Sequence, residues 1–470
     1  MNAPQAWRLS AVELAARIRS GECSALQATD SVLARIEQAN PRLNALAEVM
    51  ADEARAAARD CDAAQAAGLA LGPLHGVPVT VKVNVDTAGR ATTDGIVAAR
   101  DHIATTDSPL VQNFRQAGAV IVGRSNTPAF SLRWFTDNDL HGRTLNPFDA
   151  AVTPGGSSGG AAVAVATGMG AIAHGNDYGG SIRYPAWACG VVGLRTTVGR
   201  VPSYKASAPN RMLSNQMMSV QGPLTRSVAD ARLALQVMAR GSALDPQWVD
   251  APLQPQGSDT RRLRVAVFSR HAAYDADRTV VAAVAQAAAC LAAAGCDVEE
   301  ATPPHFEEGA RLWRQLVMDD LRRGGQAAIE KLGDAGVQAA LAGYMHGLPA
   351  LDANATLEAL ARRFNICRDW AVFLQRFDVL LMPNSWQRQF AVDADCAGPA
   401  AVEGLLRAQS PLLGTAMMGL PGLSVPTGMA GKLPAGVQLV SGRFREDLAL
   451  RAGELIEQAA GFSALEQLAA

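Results

Sequence analysis

The sequence predicts a single large α/β domain, a twisted mixed β-sheet covered by α-helices, and three observations lead to that reading. Patterns with strand and helix periods alternate along most of the 470 residues. Apolar residues make up 49% and charged residues 18%, so the chain can fill a large core and is too apolar to be disordered. A glycine-dense stretch, TPGGSSGGAAVAVATGMGAIAHGNDYGGSIRYPAWACGVVGLRT (Thr153–Thr196), stands among these elements and has the character of a site.

Taken in order, Leu9, Val12, Leu14 and Ile18, then Val32, Leu33 and Ile36, recur near helical spacing. Residues 10–40 therefore read as two amphipathic helices, the second capped by Ser24 or Thr29. An alanine-rich helix over 51–67 breaks at Gly68. Val77, Val79, Val81, Val83 and Val85 alternate strictly, which predicts a strand with one buried face and sends Lys82 to the opposite face. A helix over 108–118 leads into a buried strand over 119–123. A helix over 159–168, a strand over 171–174 and a helix over 227–240 follow. The proline-spaced segment 241–259 reads as a surface connection and a sub-domain boundary. Beyond it come strands at 263–268, 296–301, 377–383, 422–428 and 436–442, with helices at 277–294, 306–332, 354–375 and 446–459.

Composition excludes several functions. A formal net charge of −2 carries no electrostatic footprint for nucleic acid or an anionic membrane. The seven cysteines form no CxxC pair, which favours free thiols in a reducing compartment and disfavours structural zinc. The first residues interleave charges with apolar positions, so neither a signal peptide nor a membrane span is expected, and the chain is expected to be cytoplasmic.

Two glycine-flanked serine sites, GGSSGG (Gly155–Gly160) and DYGGSIR (Asp177–Arg183), bracket an apolar segment. Such glycines suit a backbone that takes positive φ or approaches a reacting group, whereas a flexible linker would be polar. A serine hydroxyl attacks only when a base removes its proton. His174 lies close in sequence to Ser181 and His75 close to Lys82, yet no GxSxG elbow surrounds Ser181, which disfavours a histidine triad. Lys82 stands inside an apolar strand, where burial would disfavour its charge and leave the neutral amine that a base requires. GMGAIA (Gly168–Ala173) precedes a strand instead of following one, and GGSSGG lacks the Lys-Ser/Thr of a P-loop, so nucleotide binding is not expected. Trp134, Phe135, Met212, Met217, Met218, Trp386 and Met417 could line a substrate cavity, with ordinary core as the plainer reading of each.

GPLHGVPVTVK, TPGGSSGG and GNDYGGSIRYPAWACGVVGLR resemble, in order, the lysine and two-serine segments of the amidase signature family. The resemblance runs from about Leu9 to the C-terminal GLPGLSVPTG and GVQLVSGRFREDLAL. It implies one domain over residues 5–465. The nucleophile segment would occupy about 70–240, and a C-terminal part over about 260–465 would complete the sheet and the substrate pocket.

It also implies a Ser-cisSer-Lys triad, with Ser181 as nucleophile, Ser157 as proton relay after a cis peptide, and Lys82 as base. The backbone N–H groups of Tyr178, Gly179, Gly180 and Ser181 would form an oxyanion hole, and Asp177 and Arg183 would brace the loop by ion pairing. Hydrolysis of a small or aromatic carboxylic amide through an acyl-enzyme is implied, without metal or cofactor. The partners expected are a small-molecule amide substrate and a homodimeric copy. The glutaminase component of a tRNA-dependent amidotransferase and a silent scaffold on the same fold are the alternatives. Four positions depart from the family pattern: Val83 where an acidic residue is frequent, Asn176 where serine or threonine is common, Tyr178 where a small or aliphatic residue is common, and Tyr184 where the amidotransferase glutaminases carry glutamine.

Overall fold

The computed structural model describes residues 3–257 and 259–469. Eleven strands form one sheet among the described residues: β1 (Leu46–Val49), β2 (Pro78–Lys82), β3 (Val120–Ser125), β4 (Ile172–Asp177), β5 (Val192–Arg195), β6 (Val220–Thr225), β7 (Arg264–Val267), β8 (Asp297–Glu300), β9 (Val379–Pro383), β10 (Gly422–Ala430) and β11 (Leu433–Ser441). Their spatial order is β1-β3-β2-β4-β6-β5-β10-β11-β9-β7-β8. β2 pairs in parallel with β3 and β4, and β7 in parallel with β8 and β9. Between those units β4, β6, β5, β10, β11 and β9 follow one another antiparallel. Strands from before and after the irregular segment 241–257 therefore share one mixed sheet.

The N-terminal helices form where the periodicity places them. Ala11–Ser20 and Ala25–Leu43 each begin with a reciprocal capping box, Ser10 with Glu13 and Ser24 with Gln27. Ser24 is thus the cap, and Thr29 lies buried inside the helix. The valine alternation predicted a strand with one covered face. β2 instead lies between β3 and β4 with helices Ala25–Leu43 and Gly159–Ala166 against it, so Thr80 and Lys82 are as buried as the valines. That second layer sets the chemistry of Lys82.

The helix expected over 306–332 is two, Phe306–Gly324 and Gln326–Leu332, divided at the Gly324-Gly325 pair, where the absence of side chains weakens helical propagation. β1, β5 and β6 have no counterpart in the sequence reading. β1 and β5 are only four residues long, and β6 holds Gly222-Pro223. Helices Ala335–Met345, Pro399–Ala408 and Ser410–Met417 were likewise not expected.

Apolar burial gathers in two clusters, of which the second is aromatic-rich and holds Trp134, Phe135, Met218, Trp386 and Met417 as core, with Met212 and Met217 half-buried against it. No helix among the described residues is long and apolar enough to cross a membrane.

Close backbone approach explains one glycine of the first serine motif directly. A Cβ on Gly160 would lie 2.4 Å from Ala45 O and 2.5 Å from Asn126 N, both backbone atoms. Gly160→Ala is expected to destabilise the chain by roughly 1–3 kcal/mol. Gly404→Ala, in open space on helix Pro399–Ala408, is expected to be neutral or stabilising. Urea midpoints of the two variants, at unchanged m, check this contrast.

Candidate active site

Lys82 closes β2, and its Nζ lies 2.7 Å from Ser157 Oγ and 2.8 Å from Asn176 Oδ1. The side chain is 0% exposed. Burial pushes its pKa down to about 7, with Asp94 and Asp177 pulling upward and Lys205 adding to the depression. Near neutral pH a large share of this amine is uncharged.

Ser157 and Ser158 precede helix Gly159–Ala166, and the Gly156–Ser157 peptide is cis. The two hydroxyls do different things. Ser157 Oγ meets the lysine, whereas Ser158 Oγ donates to the Asn176 carbonyl at 3.3 Å and so ties the helix start to β4. The backbone N–H of Ser158 also donates to the Ser181 carbonyl at 3.1 Å, which brings the two serine segments side by side. Ser181 is 8% exposed, against 1% for Ser157, so it is the more open of the two.

The loop that carries Ser181 hangs from one carboxylate. Asp177 Oδ1 accepts from Gly180 N at 2.8 Å, and Oδ2 accepts from Ile182 N at 3.2 Å. Arg183 grips both oxygens at 2.9 Å, and Arg195 Nη1 reaches Oδ1 at 3.2 Å and the Asp177 carbonyl at 2.6 Å. Burial alone would raise this carboxyl; the two guanidinium groups and the hydrogen bonds hold it well below the usual range instead. Because the Gly180 N–H is directed at Asp177, the unengaged donors of the loop are the N–H groups of Tyr178, Gly179 and Ser181 among the described residues.

Residues 27–450 match the profile of the family described as Amidase. The chain is similar to an indoleacetamide hydrolase of Bradyrhizobium diazoefficiens, at 42% identity over 463 residues covering 97% of this chain and 87% of the relative. It is also similar to the A component of the glutamyl-tRNA(Gln) amidotransferase of a Synechococcus species, at 34% identity over 94% of this chain and 95% of that one. Among solved structures, a bacterial aryl acylamidase of the amidase signature enzymes superposes with a TM-score of 0.86 at 26% identity over 98% of both chains. The chain belongs to the amidase signature family. It is an amide hydrolase, acting on C–N bonds.

Each departure from the amidase signature pattern has a structural counterpart. Asn176 supplies the second partner of the Lys82 amine. Val83 is buried, and the stronger of the two acidic influences on Lys82 comes from Asp94, whose own N–H donates to the Val83 carbonyl at 3.4 Å. Tyr178 is half-buried, and its hydroxyl donates to Ser214 Oγ at 2.5 Å, which in turn donates to Asp320 Oδ2 at 2.5 Å. Tyr184 is buried, stacks on Phe390 at 5.1 Å and accepts from the Phe390 N–H at 3.1 Å. Sequence reasoning did not anticipate Asn176 as a lysine partner or Arg195 as a second cation on Asp177. An arginine closing the apolar run VVGL was the one available signal for Arg195, since a charge there calls for a buried counterion.

His174 is fully engaged in the fold. Its Nδ1 accepts from the Lys82 N–H at 3.4 Å, its Nε2 stands 2.7 Å from Gln221 Oε1, and burial lowers its pKa to about 3. The neutral ring therefore carries its proton on Nε2 and has no free lone pair for a serine. His75, the other histidine weighed, packs against Gly118. His174→Ala is expected to lower thermal stability and to keep turnover within about tenfold. Removal of a general base typically costs about 10²–10⁴-fold, and a loss of that size in folded protein would restore the histidine as the base.

Proposed function

We propose that this amidase hydrolyses a small aromatic amide of the arylacetamide kind, releasing the carboxylic acid and ammonia through an acyl-enzyme on Ser181. The observation that carries the mechanism is the buried amine of Lys82 at 2.7 Å from Ser157 Oγ, where burial disfavours its charged form. With one Lys82 N–H held by Asn176 Oδ1, the nitrogen lone pair is free to face Ser157. Lys82 takes the Ser157 proton while Ser157 takes that of Ser181, whose Oγ attacks the amide carbonyl. The resulting oxyanion is received by the N–H groups of Tyr178, Gly179 and Ser181. The relay then protonates the leaving amine, the C–N bond breaks, and water activated along the same path releases the acid. Asp177, Arg183 and Arg195 hold the loop in shape without touching the reacting atoms.

The arylacetamide assignment is supported by the indoleacetamide hydrolase relative at 42% identity and by the aromatic-rich second core cluster, against which half-buried Phe130, Leu132, Tyr178 and Met212 pack and whose Trp134 and Trp313 bond the loop carbonyls. The glutaminase reading has weaker support: the amidotransferase component is the more distant relative at 34%, and the glutamine of its motif is Tyr184 here, packed on Phe390. Free thiols and a near-neutral charge balance fit work in the cytoplasm on a small molecule.

The purified chain alone is expected to release ammonia from indole-3-acetamide or phenylacetamide faster than from glutamine, and Ser181→Ala is expected to abolish both release and labelling by a fluorophosphonate. Preference for glutamine, or turnover that persists in Ser181→Ala, would defeat the assignment. Lys82 must lose its proton to act, and its pKa lies at about 7. So kcat/KM is expected to rise about tenfold per pH unit below that value and to level off above it. Lys82→Ala is expected to lose several orders of magnitude at neutral pH and to lose this ascending limb; a pH profile unchanged in shape would assign the base elsewhere.

A further inference from the structure

The nucleophile loop contains Gly179 and Gly180, the residues least able to hold a peptide plane by their own sterics. Gly180 has φ +112°, a conformation that glycine alone adopts readily. A trans peptide directs its C=O and N–H to opposite sides, so whatever binds the carbonyl also aims the donor. Two buried indoles bind successive carbonyls here. Trp313 Nε1, from helix Phe306–Gly324, donates to the Tyr178 carbonyl at 2.8 Å, and Trp134 Nε1 donates to the Gly179 carbonyl at 3.2 Å.

The first bond sets the Tyr178–Gly179 peptide and hence the direction of the free Gly179 N–H. The second sets the Gly179–Gly180 peptide, whose N–H is held at its other end by Asp177 Oδ1 at 2.8 Å. Trp313 also walls the loop, since a Cβ on Gly179 would lie 2.5 Å from its Cζ2. Both tryptophans are fixed in turn, Trp134 edge-on to Tyr344 at 5.8 Å and Trp313 edge-on to Tyr178 at 5.8 Å. Each is nearly buried, at 4% and 7% exposed, so neither indole N–H has water as a ready alternative partner.

We infer that Trp134 and Trp313 are positioning residues that prevent rotation of two successive glycine peptides: Trp313 aims the Gly179 oxyanion donor directly, and Trp134, with Asp177, fixes the peptide that separates the Gly179 and Ser181 donors, so that both are preorganised for the transition state. The inference rests on the acyl-enzyme reading of Ser181 given above. Donors fixed before the reaction need no reorganisation as charge develops, which is where such sites gain their rate. The indoles act through the backbone and touch no reacting atom. Their loss should weaken transition-state binding and leave ground-state binding alone.

The test removes the donor and keeps the shape, by site-specific replacement of Trp313, and separately Trp134, with benzothienylalanine, alongside Trp313→Phe and Trp134→Phe. The expected result is a fall of about tenfold or more in kcat/KM and in the rate of fluorophosphonate labelling. KM and the affinity for the product carboxylate should stay within about threefold, in variants that remain folded by circular dichroism. Labelling and kcat/KM within twofold of the parent in both benzothienylalanine proteins would overturn the inference, as would a loss shared equally by carboxylate affinity. Ser181→Ala separates the two levels. If it still turns over amide, the acyl-enzyme reading itself fails. If it is silent while the tryptophan variants match the parent, only the positioning role fails.

Discussion

One buried carboxylate organises this molecule. Asp177 ends β4, and its two oxygens collect the loop's own amides and two guanidinium groups, one from the short helix that follows the loop and one from β5. Arg183 opens the helix that follows Ser181 and reaches Gln438 of β11 at 2.6 Å, the Leu412 carbonyl at 3.0 Å and Thr415. Arg195 ends β5 and donates to the Leu420 and Met218 carbonyls at 3.0 and 2.8 Å. The reactive loop is therefore fastened to the middle of the sheet. Removing one partner of such a buried pair typically costs about 3–5 kcal/mol, because the remaining charges have no water to turn to.

Around that anchor the same physical fact, burial, acts in opposite senses on three titrating groups. It lowers Lys82 to about 7, lowers His174 to about 3, and would raise Asp177 were it not for its two arginines. Among the described residues the lysine amine bonds a hydroxyl and an amide oxygen and has no ion-pair partner, so burial is free to disfavour its charge. The aspartate is surrounded by positive charge and stays ionised. An amine whose charge burial disfavours and a carboxylate held ionised thus stand on neighbouring strands, and the difference lies in their partners.

Legibility in the sequence follows the range of the interactions. The helix Arg278–Ala293 is recovered nearly to the residue, and the two helices expected within 10–40 are found at Ala11–Ser20 and Ala25–Leu43, because capping boxes or an aspartate cap and periodic apolar positions are local. The short β5 and the Gly-Pro-bearing β6 are not, because they are strands only by virtue of their neighbours β4 and β10. Lys82 and Ser157 were legible as candidates from the glycine-rich motifs and the alternating strand. Asn176 as a lysine partner, Arg195 as a second counterion and the tryptophans on the loop carbonyls were not, since each depends on a contact between separate elements, 18 to 135 residues apart in the chain.

By itself the amino-acid order determined the α/β layering, the family, and which lysine and serines stand in its motifs, because these are written in short-range pattern and motif. Only the tertiary structure decided that the valine strand is covered on both faces, that Asn176 shares the amine with Ser157, that His174 is occupied by Gln221, and that Gly180 turns its N–H toward Asp177. The reason is that protonation state and donor direction depend on what surrounds a group in space. Sequence neighbours carry little of that information when the partners lie on other strands and helices.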